Sequence, residues 1–319
     1  MTTLPPPSSQ PQIPVGVNTT LAGGFARTSF DLLHNQVESA ISWMDTLGVR
    51  LDNTRLMTYR RDIKELAENY RDVEAVNKMM HRFEQILNSA FEAMDLIAIH
   101  TGLHAHPQQD AIRDRLEMMA CGPEFGSMEK PASSSNRARN YAFELITAGR
   151  FTKAGYTVDL SDTADIILLE GQDRTYIECK RPQVQHKVHS NVKDAIKQLR
   201  GQLGEEREQS NSRSLVALSI DKTVPTAHRV LRAANDKAAG SELEKMVNQF
   251  RIDHEASWNG FKDSRFMGVL LTYRTIAILN RENIISVACQ DHLIDRSQSQ
   301  ADSTRLFAMA AAYNGTAYV

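Results

Sequence analysis

Nearly continuous apolar runs in the second half of the chain restrict its fold more than any other feature. The runs "ADIILL" at 164–169 and "SLVALSI" at 214–220 are typical of strands in the interior of a sheet, which are buried on both faces. Helical patterns at 137–153, 192–202 and 241–252 alternate with apolar runs of this kind. The alternation predicts an α/β fold in which helices cover both sides of a mixed sheet.

The first part of the chain has a helical period instead. Between residues 29 and 121 apolar side chains recur at spacings of three and four, and the stretch 72–100 predicts one long helix. Glycine, proline and a serine cluster interrupt this pattern at 121–136. We therefore predict an all-α helical domain over residues 25–130, followed by the α/β domain over residues 131–319.

The N-terminal segment has the composition of a mobile tail. Residues 1–24 contain no charged side chain, five prolines and three glycines. Such a segment cannot bury enough apolar surface to offset the conformational entropy that ordering would cost. We expect it to be disordered.

Composition and charge argue against several classes of protein. The formal net charge of −2 excludes a uniformly basic coat, so any nucleic-acid-binding surface has to be local. The three cysteines form no C-x-x-C pair, which argues against a disulfide framework or a thiolate zinc site. No apolar run is long enough to span a bilayer, and the N-terminus does not resemble a secretory signal. We expect a cytoplasmic protein without a membrane partner.

The stretch "TYIECKRP" at 175–182 places two charges on one face of a strand. Side chains alternate along a strand, so Glu178 and Lys180 share a face. Taken alone, this spacing also fits a half-exposed strand with a polar outer side. However, Asp165 stands at the head of the preceding apolar strand, and "GQDR" between the two strands predicts a hairpin turn. Antiparallel pairing would then bring Asp165, Glu178 and Lys180 to one edge of the sheet.

Two carboxylates at one sheet edge indicate a cation site. Asp165 and Glu178 would repel each other unless a cation lay between them. Carboxylate oxygens are ligands suited to Mg²⁺ or Mn²⁺. Lys180 on the same face would orient an attacking water and stabilise negative charge that develops on a phosphoryl group. Together these groups are sufficient to hydrolyse a phosphodiester.

This arrangement resembles the PD-(D/E)XK nuclease superfamily, whose members have the restriction-endonuclease-like fold. The residues that match are "TAD", which ends at Asp165, and "ECK", which runs from Glu178 to Lys180. Ala164 stands where the family has a proline. The resemblance covers about residues 137–290 and implies a mixed sheet flanked by helices, and the helical period predicts the all-α domain before it.

The resemblance also implies two further site residues. A helix before the aspartate strand often carries an acid in this family, and Glu144 in "RNYAFELITAGRF" occupies that place. Glu144 would then join Asp165 and Glu178 as a metal ligand. A helix after the lysine strand commonly carries a glutamine, which corresponds to Gln198 in "AIKQLRGQL". Gln202, one turn later, stands where the RecB-like branch has a tyrosine.

A basic stretch surrounds the expected site. Between residues 174 and 200 there are seven Lys and Arg residues and only two acids. Such a local excess of positive charge favours binding of a nucleic-acid phosphate backbone. Arg181, Lys187 and Lys193 are the candidate phosphate contacts.

The sequence therefore predicts a metal-dependent nuclease, expected to be an endonuclease that acts on DNA. Two alternatives stay open: a nuclease-like module that binds nucleic acid or supports assembly without catalysis, and the same chemistry on RNA. An intact set of Asp, Glu and Lys argues against the first, because a binding module needs no such set. For the helical region, homodimerisation, contact with a partner protein and substrate binding are equally compatible with the pattern.

Overall fold

The architecture is taken from a computed structural model. It describes residues 18–20, 24–130, 136–160, 164–205, 211–224, 230–259, 263–278 and 284–316.

Within the described residues, one mixed sheet of nine strands organises the fold. The strands are β1 (Asn18–Thr20), β2 (Gly24–Ser29), β3 (Thr157–Asp159), β4 (Ile166–Glu170), β5 (Asp173–Lys180), β6 (Arg213–Ser219), β7 (Val230–Arg232), β8 (Phe266–Ile278) and β9 (Ile284–Asp295). The order along the sheet is β1-β9-β8-β6-β5-β4-β3, with β2 also paired to β9 and β7 also paired to β8. Strands β5, β6 and β8 run parallel to one another, whereas β3, β4 and β5 form an antiparallel meander.

Ten α-helices are found in the described parts of the chain. They are α1 (Phe30–Thr46), α2 (Arg55–Asn69), α3 (Val73–Met79), α4 (Phe83–Leu103), α5 (Gln109–Ala120), α6 (Arg137–Lys153), α7 (Val188–Glu205), α8 (Asp236–Asp253), α9 (Ala256–Asn259) and α10 (Gln300–Asn314). Side-chain caps fix where several of them begin: Ser29, Asn235 and Ser299 each accept a hydrogen bond from a backbone N–H of the first turn of α1, α8 and α10.

The helices lie in two layers, one on each face of the sheet. Helices α1, α2, α4, α5, α6 and α10 share one hydrophobic core with the sheet, and α7, α8 and α9 share a second core with its other face. Strand β5 contributes to both cores because its side chains alternate: Ile177 faces the first and Tyr176 faces the second. The prediction of an α/β fold with a mixed sheet covered on both sides is confirmed, as is the helical character of the N-terminal part.

The hairpin that was expected to form the site is present. Strands β4 and β5 pair antiparallel, with Ile166 opposite Ile177, across a two-residue turn at Gly171 and Gln172. Gly171 has a φ of 64°, and two-residue hairpin turns need this left-handed conformation, which glycine adopts without steric cost. The predicted helix over Arg137–Lys153 coincides with α6.

Two local predictions were wrong. The single long helix expected over 72–100 is broken by a 3₁₀ turn at Met80–Arg82, between α3 and α4. Arg82 in this turn donates to Asp62, which is fully buried on α2, so a tertiary ion pair overrides the local helical pattern. The region expected to be all-α from residue 25 also contains most of β2, which pairs with β9 far along the chain.

The expected tail and domain division remain predictions. Residues 1–17 and 21–23 of the tail lie outside the described residues, while Asn18–Thr20 forms β1. The predicted boundary at 121–136 falls between α5 and α6, and side chains from both of its sides, such as Leu33 and Leu145, belong to the same hydrophobic core. Among the described helices, none is long and apolar enough to cross a membrane.

Candidate active site

The β4–β5 hairpin brings the three residues of the predicted motif to one edge of the sheet. Asp165 directly precedes β4, and Glu178 and Lys180 lie at the end of β5. The Asp165 carboxylate accepts a hydrogen bond from the backbone N–H of Cys179, with Oδ2 and N 2.7 Å apart. This bond fixes Asp165 beside the residue that separates Glu178 from Lys180. The spatial convergence of Asp165, Glu178 and Lys180 is therefore a property of the fold.

Glu178 is buried and has both carboxylate oxygens engaged. Its Oε2 accepts from Lys180 Nζ at 2.8 Å, and its Oε1 accepts from Gln202 Nε2 at 2.9 Å. Only 3% of Glu178 is exposed. A buried carboxylate needs such partners, because an uncompensated charge in the interior is costly. Gln202, on α7, therefore holds the carboxylate from one side while Lys180 holds it from the other.

Glu144 approaches the same site from α6. Its side chain is 13% exposed, and Oε2 lies 3.8 Å from Nε of Arg115 on α5. Burial raises the pKa of Glu144 to about 8, and the negative charge of Asp165 contributes further, while Arg115 and Lys180 act in the opposite direction. The acid expected on the preceding helix thus lies within electrostatic reach of Asp165 and Glu178.

The other ionisable groups respond to the same crowding. Burial, followed by the charge of Glu178, raises the pKa of Asp165 to about 6. Burial acts to lower the pKa of Lys180, but the carboxylates of Glu178 and Asp165 outweigh it, so the pKa of Lys180 is raised and the ammonium stays protonated. Three largely buried carboxyl groups and one ammonium group therefore lie close together at this edge of the sheet, an arrangement in which neighbouring charges shift each other's pKa.

The donor set fits a hard divalent cation. All three acids offer carboxylate oxygens, and the raised pKa values of Asp165 and Glu144 reflect burial and mutual repulsion that a bound cation would relieve. Among the described residues, no group of three or more His, Cys, Asp or Glu side chains has the spacing of a metal-binding site. Asp165, Glu178 and Glu144 remain the predicted ligands of Mg²⁺ or Mn²⁺.

The two glutamines of α7 have different positions. Gln202 contacts Glu178, whereas Gln198 is exposed and borders an open depression beside Lys180. The resemblance pointed to Gln198, but the residue that is hydrogen-bonded to Glu178 is Gln202, one helical turn later. Arg115 had no sequence signal of its own, because it lies on a helix that is remote from the motif along the chain.

The candidate phosphate contacts also separate into two groups. Lys187, directly before α7, and Lys193, on α7, are exposed, and Lys197 lines the depression beside Lys180. The side chain of Arg181 instead is only 7% exposed, and its Nη1 lies 2.9 Å from Oε2 of Glu129. Arg181 therefore faces the first helical layer, away from the basic surface of α7.

Comparison of the chain with protein-family models, with curated proteins and with solved structures finds no match.

Proposed function

We propose that this protein is a metal-dependent nuclease of PD-(D/E)XK type that hydrolyses phosphodiester bonds of DNA. The observation that carries the proposal is the convergence of Asp165, Glu178 and Lys180 at the end of one hairpin, with Cys179 N–H holding Asp165 in place. The elements also occur in the order expected for the restriction-endonuclease-like fold: a helix with an acid, a strand after an aspartate, a strand with E-x-K, and a helix with a glutamine.

Asp165 and Glu178, with Glu144, would hold the divalent cation. Bound there, Mg²⁺ or Mn²⁺ supplies positive charge to the phosphoryl group and makes a coordinated water more acidic. The chain's own contribution is to keep these carboxylates in place. Gln202 and Lys180 restrain Glu178, the Cys179 N–H restrains Asp165, and Arg115 offsets the charge of Glu144.

Lys180 is the residue best placed to act on the reacting atoms. Hydrolysis joins a water oxygen to phosphorus and breaks the bond from phosphorus to the leaving sugar oxygen. The Lys180 ammonium opens onto the depression on the α7 side, where its N–H groups can orient that water and stabilise negative charge on the phosphoryl oxygens. The surrounding carboxylates keep Lys180 charged for this role.

The exposed basic residues of α7 define the expected path of the nucleic-acid backbone. Lys193 and Lys197 are exposed on α7, which borders the depression next to Lys180, and Lys187 is exposed in the 3₁₀ turn that directly precedes α7. A phosphate backbone that followed this surface would pass the catalytic edge of the sheet.

Cleavage assays with a matched control variant test the proposal. Supercoiled plasmid, linear duplex, single-stranded DNA and RNA would each be incubated with the protein in Mg²⁺ or Mn²⁺, and in EDTA. We expect the protein to cleave DNA and EDTA to abolish the cleavage. The cleavage rate should fall at least about 100-fold in Lys180→Met. Lys245→Met is the control, because Lys245 belongs to an exposed Glu–Lys pair on α8.

Each other outcome changes the assignment. Cleavage of RNA alone would move the same chemistry to an RNA substrate. Cleavage that Lys180→Met leaves intact would reject the proposed site. If the unaltered protein and Lys180→Met bind DNA equally well and neither cleaves it, the result would support a non-catalytic binding module.

A further inference from the structure

A second polar site lies on the face of the sheet opposite α7. We call it the charged cleft and define it by Phe91, Asp95, Arg181, Asp221, Lys222 and Tyr273, which line it. It encloses about 800 Å³ of space between atoms, including the part that is open to solvent. Arg181 directly follows β5, and Asp221 and Lys222 follow β6 closely. The cleft thus lies at the carboxyl ends of parallel strands, where α/β sheets commonly bind ligands.

One wall of the charged cleft carries an excess of positive charge. The fully buried carboxylate of Glu129 is shared by Arg181, Lys222 and Arg139, with N–O distances of 2.9, 3.3 and 3.6 Å. Arg139 also pairs with Glu92, which in turn pairs with Arg55. Four cations therefore surround two carboxylates. An anionic group that entered the cleft would find guanidinium and ammonium donors at this wall.

The same cleft also contains an aromatic ring and carboxylates. Phe91 supplies apolar ring surface, and Asp95 and Asp221 supply acceptor oxygens. Both carboxylates accept from Arg274, and each has lone pairs for additional donors. A planar ring with N–H groups at its edge suits such a set of groups, since its faces pack on aromatic side chains and its edge donates to carboxylates.

We propose that the charged cleft binds a nucleoside phosphate. The phosphate would contact the donors around Lys222, and the base would contact Phe91, Asp95 and Asp221.

Two elements connect the charged cleft to the candidate active site. Strand β5 ends in Lys180 at the active site and continues into Arg181 at the cleft, and α6 carries both Glu144 and Arg139. A ligand that shifts Arg181 or Arg139 would therefore move residues of the active site as well. This regulatory consequence rests on the proposed nuclease function, whereas binding in the cleft does not.

Calorimetric titration of the full chain tests the proposal directly. The probes are ATP, GTP, CTP and UTP, with inorganic phosphate and adenosine as partial ligands. We expect at least one nucleotide to bind with a stoichiometry of one, more tightly than either partial ligand. Lys222→Met should weaken that binding at least about tenfold, because it removes a charged hydrogen-bond donor. Lys245→Met, an exposed lysine on α8, should leave it unchanged.

A second variant guards against loss of folding. Phe91→Leu keeps an apolar side chain but removes the ring, so it should weaken nucleotide binding while thermal unfolding stays close to that of the unaltered protein. The proposal is overturned if no nucleotide binds, or if Lys222→Met and Phe91→Leu bind as the unaltered protein does. It is also overturned if only an oligonucleotide binds in a Lys222-dependent way, because the cleft would then belong to the substrate path.

The binding result is independent of nuclease activity. If the protein cleaves no nucleic acid but binds a nucleotide in a Lys222-dependent way, the charged cleft stands and the nuclease proposal fails. If it cleaves DNA, addition of the bound nucleotide should change the cleavage rate of the unaltered protein more than that of Lys222→Met.

Discussion

At the scale of single residues, Glu178 is the centre of the candidate active site. Its two oxygens accept hydrogen bonds from Lys180 and Gln202, which come from the same strand and from α7. A buried carboxylate held from two sides has little freedom to rotate. The geometry of the site therefore depends on a neutral side chain, Gln202, as well as on its charged members.

Replacing Gln202 by leucine should lower the cleavage rate about 10- to 100-fold, because partners that orient a ligand residue typically have effects of that size. Gln249→Leu is the control, since Gln249 is exposed on α8, a helix that does not line the depression beside Lys180. The measurement is the rate of plasmid cleavage at saturating Mg²⁺. Equal rates for the two variants would show that Gln202 does not position Glu178.

The sequence could place the motif residues because they are close along the chain. A hairpin turn and strand alternation were enough to bring Asp165, Glu178 and Lys180 together. The helix partners were harder to place. Gln198 and Gln202 differ by one turn, and only the packing of α7 on the sheet decides which of them reaches Glu178. Arg115 reaches Glu144 through the packing of α5 on α6, which no local pattern encodes.

At the scale of elements, the turn of the β4–β5 hairpin sets the register of the site. Gly171 adopts a φ of 64°, a conformation that costs a residue with a Cβ about 1 to 2 kcal/mol. A shift of one residue in this register would turn Glu178 and Lys180 to the other face of the sheet.

Gly171→Ala should lower the free energy of unfolding by about 1 kcal/mol, measured by urea denaturation. Gly204→Ala is the contrasting control: Gly204 lies in the last turn of α7, and an added Cβ there meets no atom within 4 Å. In a helix alanine is favoured over glycine, so this variant should be equally or more stable than the unaltered protein. Destabilisation of Gly204→Ala alone would contradict this account of the turn.

Helix α7 is the element expected to carry the nucleic-acid backbone. Replacing Lys187 and Lys193 together by glutamine should weaken DNA binding and reduce the slope of log affinity against log salt concentration by up to about 1.8, because each phosphate contact contributes about 0.9. The measurement is fluorescence anisotropy of labelled duplex over a salt series. The control replaces Lys237 and Lys245, which are exposed on α8, by glutamine. This double variant should leave the slope unchanged.

The elements of the central sheet were predictable to the extent that their signals are local. The apolar runs of β4 and β6 identified interior strands, and the 3.6-residue period identified α6. Strands β1 and β2 were not predictable in this way, because they are strands only through pairing with β9 at the other end of the chain. Tertiary contact also decided the break between α3 and α4, where Arg82 pairs with Asp62.

At the scale of the whole molecule, buried ion pairs join the first helical layer to the sheet. Arg274 of β8 contacts Asp95 of α4 as well as Asp221 beyond β6. Arg181 beyond β5 contacts Glu129 from the segment between α5 and α6. Breaking such a pair leaves an uncompensated buried charge, so the network restricts how the layers are arranged.

Asp95 should make stability depend on pH. Burial raises its pKa to about 6 from an ordinary value of 3.8, while Arg274 acts in the opposite direction. The folded protein therefore binds this proton more tightly than the unfolded chain. Between about pH 4 and pH 6 the contribution of Asp95 to the free energy of unfolding should fall as pH rises, by about 3 kcal/mol in total.

Asp95→Asn removes this titration. The measurement is urea denaturation of both proteins at several pH values from 4 to 7. As pH rises, the free energy of unfolding of the variant should increase relative to that of the unaltered protein. The exchange of a neutral carboxyl for an amide adds an offset that does not vary in this range. Parallel stability curves for the two proteins would contradict the raised pKa of Asp95.

The central claim is that the end of the β4–β5 hairpin is a catalytic site for phosphodiester hydrolysis. The most direct test is the rate at which Asp165→Asn cleaves supercoiled plasmid in Mg²⁺, compared with Asp173→Asn at the other end of the same hairpin. Asp173 lies at the start of β5 and pairs with Arg305. The account predicts a loss of at least about 100-fold for Asp165→Asn and a rate close to that of the unaltered protein for Asp173→Asn. Equal cleavage by both variants would contradict it.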